Sequence, residues 1–520
     1  MKNQESVKHT TYNAERVLRN VFEILCLSVF IFLFVTSLFV TVIGDLNSGR
    51  DTYYFVSQSI FRSVLKILIY FILLNFGQFV FKKISRKVPL HFLAICFSVY
   101  AMLVSFYFIH TLHVEPWADA GICFGLADAF NKGIFTSFEV GGYVGIFPHQ
   151  LGLITVERIL LYLFGTRYEV LQYILIPLIG LFVYSGFRVT FLMSKENIGA
   201  CFAYFWAVST FLPLFLYVTM PYGDLPSACL VIFAFWMILE NNKCPKWWKC
   251  LFTFVSLSLA VLIRQNTIIF LIAFGVMEIV RFGRRKKESI QLLLILLLVP
   301  ILTHFSIQII YHEYLKDTSA VAPKLAWVSM GLTYETDGWW NDFIYRVMEE
   351  SGYNKEVASE ISGEDIRQQL EHYKEQPYMM LRHLYRKAQI QWNAPMLQGF
   401  NLVPVNIKDG TVSQQLFWGK LRGYAEKYMD VQQSFLYLCL IVYLVAGLLD
   451  KKRDIVQYGT LIGVYGGFLF TMIWETKTRY AFPYIIISLP YSAVGFEKMS
   501  RFLVGKLMPA VKRTKECRDE

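Results

Sequence analysis

Leu292-Leu293-Leu294-Ile295-Leu296-Leu297-Leu298-Val299-Pro300-Ile301-Leu302 lies inside a run from about 289 to 311 that contains no Asp, Glu, Lys or Arg. A helix of that length crosses a hydrocarbon layer about 30 Å thick, and a soluble core has no use for so long an uncharged stretch. Working outward, comparable apolar runs fall at about 22–43, 64–81, 90–110, 169–192, 198–218, 225–240, 249–263, 266–282, 433–449, 455–473 and 480–496. The reading is therefore an all-α polytopic membrane protein with about twelve spans. Composition agrees: 55% of the 520 residues are hydrophobic and 17% charged, against about 25% charged in an ordinary soluble domain. The first run, from Val21 to Gly44, is too long for the core of a cleavable signal and reads as an anchor.

The net charge of +11 does not point to nucleic acid, because no basic stripe with interleaved aromatics accompanies it. The basic residues sit at the edges of the apolar runs. Placing the N-terminus inside puts Lys82 to Lys87, Lys243 to Lys249, Arg281 to Lys287, Lys451 to Arg453 and the C-terminal tail on one face. That face then carries 27 Lys and Arg against 8 in the short loops of the other, as the positive-inside rule requires. A further apolar segment, Gln150 to Phe164, holds Glu157 and Arg158 in its middle. Counting it as a span would move Arg281 to Lys287 outside, so it is expected to lie along the interface. The nine cysteines lie mostly within apolar runs, with no CxxC pair, so neither a disulfide framework nor a cysteine metal site is indicated.

This arrangement divides the chain into an N-terminal pair of spans (1–89), a transmembrane core (90–311), a large outer segment (312–432), the last spans (433–497) and a basic cytoplasmic tail (498–520). Two long loops face outward, 112–168 and 312–432. The second contains Trp327, Trp339, Trp340 and Trp392 and a polar stretch, Glu349 to Gln376, with helical periodicity. It is expected to fold as a small cap.

Ionisable residues near hydrocarbon cost about 2 to 3 kcal/mol each unless paired or hydrated, so those at the outer edge are the first candidates for function. Asp119, in Glu115-Pro116-Trp117-Ala118-Asp119, precedes Asp128 by nine positions, which puts the two carboxylates on opposite faces of a helix. His149 lies in Phe147-Pro148-His149-Gln150, just before the interfacial segment. Asp224, in Tyr222-Gly223-Asp224, is placed to cap the following span. Arg264-Gln265-Asn266 forms a tight outer turn, and Trp474-Glu475-Thr476-Lys477-Thr478-Arg479-Tyr480 is a polar insertion between two spans. Sugar transfer from a phosphate donor requires a carboxylate to take the acceptor's proton and fixed cations for the departing phosphate. Asp119, Arg264 and Arg479 supply these on one face.

In their order and shared outer location, Pro116-Trp117-Ala118-Asp119, Phe147 to Gln150, the Leu163-Phe164-Gly165 ending and Glu475-x3-Arg479-Tyr480-x2-Pro483 resemble the GT-C fold glycosyltransferases. The layout is most similar to protein O-mannosyltransferases and lipid A aminoarabinose transferases, over about 90–300 and again near 470–497. The resemblance implies a plasma-membrane enzyme that moves a sugar from a polyprenyl-phosphate donor to a glycan, lipid or protein acceptor on the outer face, with both termini cytoplasmic. It implies Asp119 as the catalytic base and Arg264, Arg479, His149, Glu475, Tyr480 and Lys477 as substrate-binding residues. Ala120 follows Asp119 where the family commonly pairs Asp with Glu, so a divalent metal has no paired carboxylate to hold it and none is assigned. The first two spans are additional to the family's usual start. A transporter or flippase would be expected to bury charges at mid-membrane and repeat its halves, which this chain does not. A polysaccharide polymerase or ligase would show an arginine-rich outer loop, which 312–432 lacks.

Overall fold

The computed structural model describes residues 2–44, 53–283, 285–316, 318–401, 407–450 and 453–507. Arg284, Lys451, Lys452 and the tail from 508 onward, which entered the charge reading above, lie outside them, as does Cys517. The chain is mostly helical. Among the described residues eight helices are long and apolar enough to cross a membrane: Glu15–Ser37, Ile60–Ile84, Leu90–Leu112, Tyr168–Met193, Asp224–Lys243, Lys286–Ile310, Leu421–Leu449 and Ile455–Ile473. Two bent pairs, Thr136–Ile146 with Pro148–Phe164 at 94° and Ile198–Ser209 with Leu212–Thr219 at 53°, bring the total to ten if each counts as one span.

The twelve spans expected from hydropathy are thus reduced to eight, or ten, by length and composition. The run near 198–218 breaks at Thr210 and restarts with Pro213 in its first turn. The runs near 249–263 and 266–282 form helices Trp247–Ile263 and Ile268–Arg281 of 17 and 14 residues. At 1.5 Å per residue the second is only about 21 Å long. The last run continues into Phe482–Leu507, where Tyr484, Pro490, Tyr491, Glu497 and Lys498 dilute its apolar character. The segment expected at the interface, Leu151–Phe164, turns sharply at Pro148 and exposes Ile159, Tyr162, Leu163 and Phe164 while burying Glu157.

The first span packs against Leu421–Leu449, and Phe482–Leu507 runs through the middle of the bundle beside that helix and Ile198–Ser209. Between the first two spans a hairpin pairs Val40–Gly44 with Tyr53–Ser57, antiparallel, with Val40 opposite Ser57. Its Val42 N–H donates to Asn393 O at 3.2 Å, tying the hairpin to the end of helix Pro377–Trp392.

Within 312–432 the helices Lys324–Leu332, Phe343–Glu350 and Lys355–Glu375 enclose a small cluster of Ala326, Met330, Ile344, Val347, Met348 and Ala358, and Pro377–Trp392 follows them. Ile146 and Phe147 of the first long loop complete that cluster. The polar periodic stretch forms Lys355–Glu375, begun by Asn354, whose side chain accepts from the Glu356 and Val357 N–H groups. Helix Leu421–Leu449 begins well before 433, so the last part of the segment expected to be outside is continuous with a spanning helix.

Two glycines bring the long loops and the span ends together. A Cβ at Gly152 would lie 1.9 Å from Leu262 O, so only glycine lets Leu151–Phe164 rest against the end of Trp247–Ile263. A Cβ at Gly223 would meet Ile263 O at 2.7 Å and Arg264 Cβ at 3.1 Å. The turns that carry Asp224 and Arg264 are therefore in direct backbone contact.

Candidate active site at the loop-bearing end of the bundle

Helix Ala118–Asn131 follows Pro116 and Trp117 and places Asp119 in its first turn, where a carboxylate favours the helix dipole. Asp119 Oδ2 accepts from Arg479 Nη2 at 3.2 Å, and Oδ1 accepts from the Tyr143 hydroxyl at 3.2 Å. The Asp119 side chain is 35% exposed, whereas Arg479 is 6% exposed. Partial burial pushes the Asp119 carboxyl upward, but Arg479, Lys477 and the two hydrogen bonds outweigh it and hold the group below the ordinary carboxylate value. Asp119 is thus an ionised carboxylate with one open side. Asp128 sits on the other face of the same helix and pairs with Lys132 at 2.5 Å.

Arg479 lies in the turn after Gly459–Ile473, and Arg264 lies between Trp247–Ile263 and Ile268–Arg281. Both guanidinium carbons stand 4.8 Å from the Tyr222 ring centroid, and they lie 5.7 Å and 5.8 Å from that of Tyr480. Two aromatic faces therefore hold two like charges close together. Asp224 pairs with Arg264 at 3.1 Å. The cap of Asp224–Lys243 is Gly223, without a side-chain cap bond, so the helix-capping role expected for Asp224 gives way to this ion pair. Burial acts against the charge on each arginine, yet tyrosine and carboxylate neighbours raise both above the ordinary arginine value.

Glu475 is buried, accepts from the Tyr480 hydroxyl at 3.0 Å and pairs with Lys477 at 3.4 Å. It faces Lys477 and Tyr480 rather than Arg479. The Gln150 side-chain N–H donates to the Tyr222 hydroxyl at 2.7 Å. His149 is exposed at the rim, its ring 5.8 Å from that of Trp327 and 6.0 Å from that of Phe147. The polar turn is clamped from 312–432: Thr476 N–H donates to Gly338 O at 2.7 Å, Thr476 Oγ1 to Asp337 O at 2.7 Å, and Thr478 Oγ1 to Ile390 O at 3.2 Å.

Asp119, Arg264, Arg479, Glu475, Tyr480 and Lys477 thus form one cluster, with His149 beside it. Sequence reasoning missed Tyr143, which orients Asp119, Tyr222, which both arginines share, and the pairing of Asp224. The turns at 222–224 and 264–266 were both legible as short and polar, but their contact depends on Gly223. Among the described residues no three His, Cys, Asp or Glu side chains gather in a metal-holding group. Each of the three carboxylates already faces a cationic partner, an arrangement that does not suit a divalent ion.

A narrow crevice with a cavity volume of about 20 Å³ opens beside Arg264, lined by Asn266, Thr267 and Tyr480 together with the apolar Phe270 and Phe470. It lies between Asp224–Lys243, Ile268–Arg281 and Gly459–Ile473.

Comparison with curated proteins finds no significant match. Among solved structures, the chain is similar to the archaeal oligosaccharyltransferase AglB from Archaeoglobus fulgidus in complex with an inhibitory peptide and a dolichol-phosphate, at TM-score 0.41 and 14% identity. It is similar also to the apo form of the Archaeoglobus fulgidus oligosaccharyltransferase, at TM-score 0.40 and 14% identity. In each case 81% of this chain is covered, and the chain spans about half the length of the structure it matches, 52%. A family model matches residues 10–498, and the chain belongs to that family, the conserved hypothetical integral membrane proteins.

Proposed function

We propose that this protein is a membrane glycosyltransferase that moves a sugar from a polyprenyl-phosphate donor to an acceptor hydroxyl on the outer face of the plasma membrane. One observation carries the reading: an ionised, half-open carboxylate, Asp119, shares a salt bridge with one of two arginines held on the same tyrosine ring, next to a narrow crevice lined by polar and apolar side chains. The sequence resemblance to GT-C enzymes supports the same reading.

In this mechanism the donor phosphate lies at Arg264 and Asn266 with its isoprenyl chain along Phe270 and Phe470. The acceptor hydroxyl approaches the open side of Asp119. Its oxygen bonds to the anomeric carbon as the bond from that carbon to the phosphate oxygen breaks. The leaving electron pair stays on the polyprenyl phosphate, whose growing charge is met by Arg264 and Arg479. Asp119 takes the hydroxyl proton. A carboxylate held below its ordinary value is a weak base, which suffices where the transition state is oxocarbenium-like and the proton leaves late. Tyr143 and Arg479 hold the carboxylate in place, and Glu475 fixes Lys477 and Tyr480 behind the second arginine.

The test is an assay of the purified protein in lipid nanodiscs with a panel of radiolabelled polyprenyl-phosphate sugars. Consumption of one donor by the natural sequence and not by Asp119→Asn is the expected result. If no donor is consumed while a solute or lipid-linked sugar crosses the bilayer, the transport reading replaces this one.

A further inference from the structure

Six aromatic rings form an unbroken series at the site. Phe470, which lines the crevice beside Arg264, stacks on Trp474 at 5.2 Å, and Trp474 stacks on Trp327 at 5.7 Å with the planes 9° apart. Trp327 meets Phe147 edge-on at 5.9 Å, Phe147 meets Tyr345 at 5.6 Å, and Tyr345 meets Trp340 at 5.9 Å. The series passes within one residue of Asp119, since Tyr143, which hydrogen-bonds Asp119, packs on Phe147 at 5.2 Å. Phe147 is buried, Tyr345 is exposed, and Trp327, Trp340 and Trp474 are half-exposed. Among the described residues the indole N–H groups of Trp327 and Trp474 and the His149 ring have no hydrogen-bond partner.

We infer that this ring series is the acceptor subsite and that the acceptor it takes is a saccharide; the inference rests on the glycosyl-transfer reading above and adds the acceptor's chemical class. Flat aromatic faces match the C–H faces of pyranose rings, and uncommitted N–H donors at their edges match sugar hydroxyls. An extended peptide is best held by a free strand edge, and the described part of 312–432 contains no strand. The rings join the Arg264 crevice to the rim at Trp340, so a glycan lying along them would bring a terminal hydroxyl to Asp119.

Saturation-transfer NMR on the full protein in nanodiscs, without donor, tests the inference directly. The probes are maltohexaose, chitohexaose and a hexameric β-glucan, with a Ser/Thr-containing peptide as the alternative. Binding of at least one oligosaccharide, weakened about 10-fold or more by Trp327→Ala and largely kept by Trp327→Phe, is expected from the loss of one aromatic face. Trp327→Phe also guards against a fold defect, because it retains a ring between Trp474 and Phe147. In turnover assays the Ala variant should raise the acceptor KM and leave kcat and donor affinity near their starting values. Donor consumption with transfer to the peptide, and no oligosaccharide binding, would overturn this inference while leaving glycosyl transfer intact. Oligosaccharide binding that depends on Trp327, with no donor consumed, would support the saccharide site and overturn the transfer reading instead.

Discussion

The two ends of the helical bundle both bury charge, and they do so in opposite ways. At the end away from the long loops, Arg281 donates to Glu278 at 2.9 Å and to Asn242 at 2.9 Å, and Ser289 donates to the other oxygen of Glu278 at 2.5 Å. Both members of that pair are at most 2% exposed. Nearby, Arg453 donates to the Tyr458 hydroxyl at 3.0 Å and to Tyr443 O at 3.1 Å, and Tyr458 donates to Glu23. These charges are sealed. At the loop-bearing end the arginines lean on tyrosine rings, as Arg453 does on Tyr443 and Tyr458, but there one carboxylate partner, Asp119, keeps an open side. A sealed ion pair holds helices in register, whereas a cation on an aromatic face with a half-exposed partner can accept a new anion without first losing a closed network.

The sharpest way to break the comparison is at Asp119. Asp119→Asn keeps the shape and removes the carboxylate proposed as the base, and turnover should fall about 100- to 10,000-fold with donor affinity nearly unchanged; Asp128→Asn, on the far face, should leave turnover close to normal. Equal losses in the two variants would remove the distinction on which the site rests. At the opposite end Arg281→Met should cost about 3 kcal/mol of stability by leaving Glu278 without its cation, seen as earlier unfolding in denaturant. The folded fraction should keep its specific activity. A collapse of activity in the folded fraction would show that the sealed end takes part in function.

Arg479→Lys sharpens the comparison further. It keeps the charge and loses the planar fork, so turnover with polyprenyl-phosphate donor should drop about 10-fold, and Arg479→Ala should be worse. Unchanged donor affinity and turnover in Arg479→Ala would move the phosphate to Arg264. The smallest expected effect concerns Lys387, which is wholly buried and donates to Gly331 O at 2.5 Å. Burial lowers its ammonium to about 7, with Glu475 acting in the other direction. Between about 7 and the ordinary lysine value of 10.5 the unfolded chain holds a proton that the folded chain has released, so stability rises with pH across that window. Thermal unfolding from pH 6.5 to 10 should show this rise, and Lys387→Met should flatten it. An equal slope in both would place the titration elsewhere.

Much of the membrane character was legible in the sequence, because a run such as 289–311 admits few other readings. The span count was not, since hydropathy sees composition and misses breaks: Pro213 splits one run, and Ile268–Arg281 is too short to cross alone. The sequence also brought Asp119, Arg264 and the 474–480 turn to the same face by topology. Their contact was illegible, because it depends on Gly152 and Gly223 permitting backbones to touch and on Tyr222 lying between two arginines. Asp224 shows the same limit. A local rule made it a helix cap, while a partner forty positions away at Arg264 took its side chain.

The contact between the first span and the last third of the chain bears on how the protein is made. Arg19 donates to Arg453 O across a separation of 434 residues, and the hairpin that follows the first span is pinned at Asn393. At roughly 5–20 residues per second, about 20 to 90 s of synthesis separate the first span's exit from that of its partner. During that interval Arg19, Glu23 and the hairpin's outward N–H groups have none of these distant partners. The early spans must therefore be sheltered by the insertion machinery or by a chaperone, and slow elongation before residue 450 would prolong the period in which the chain is open to degradation.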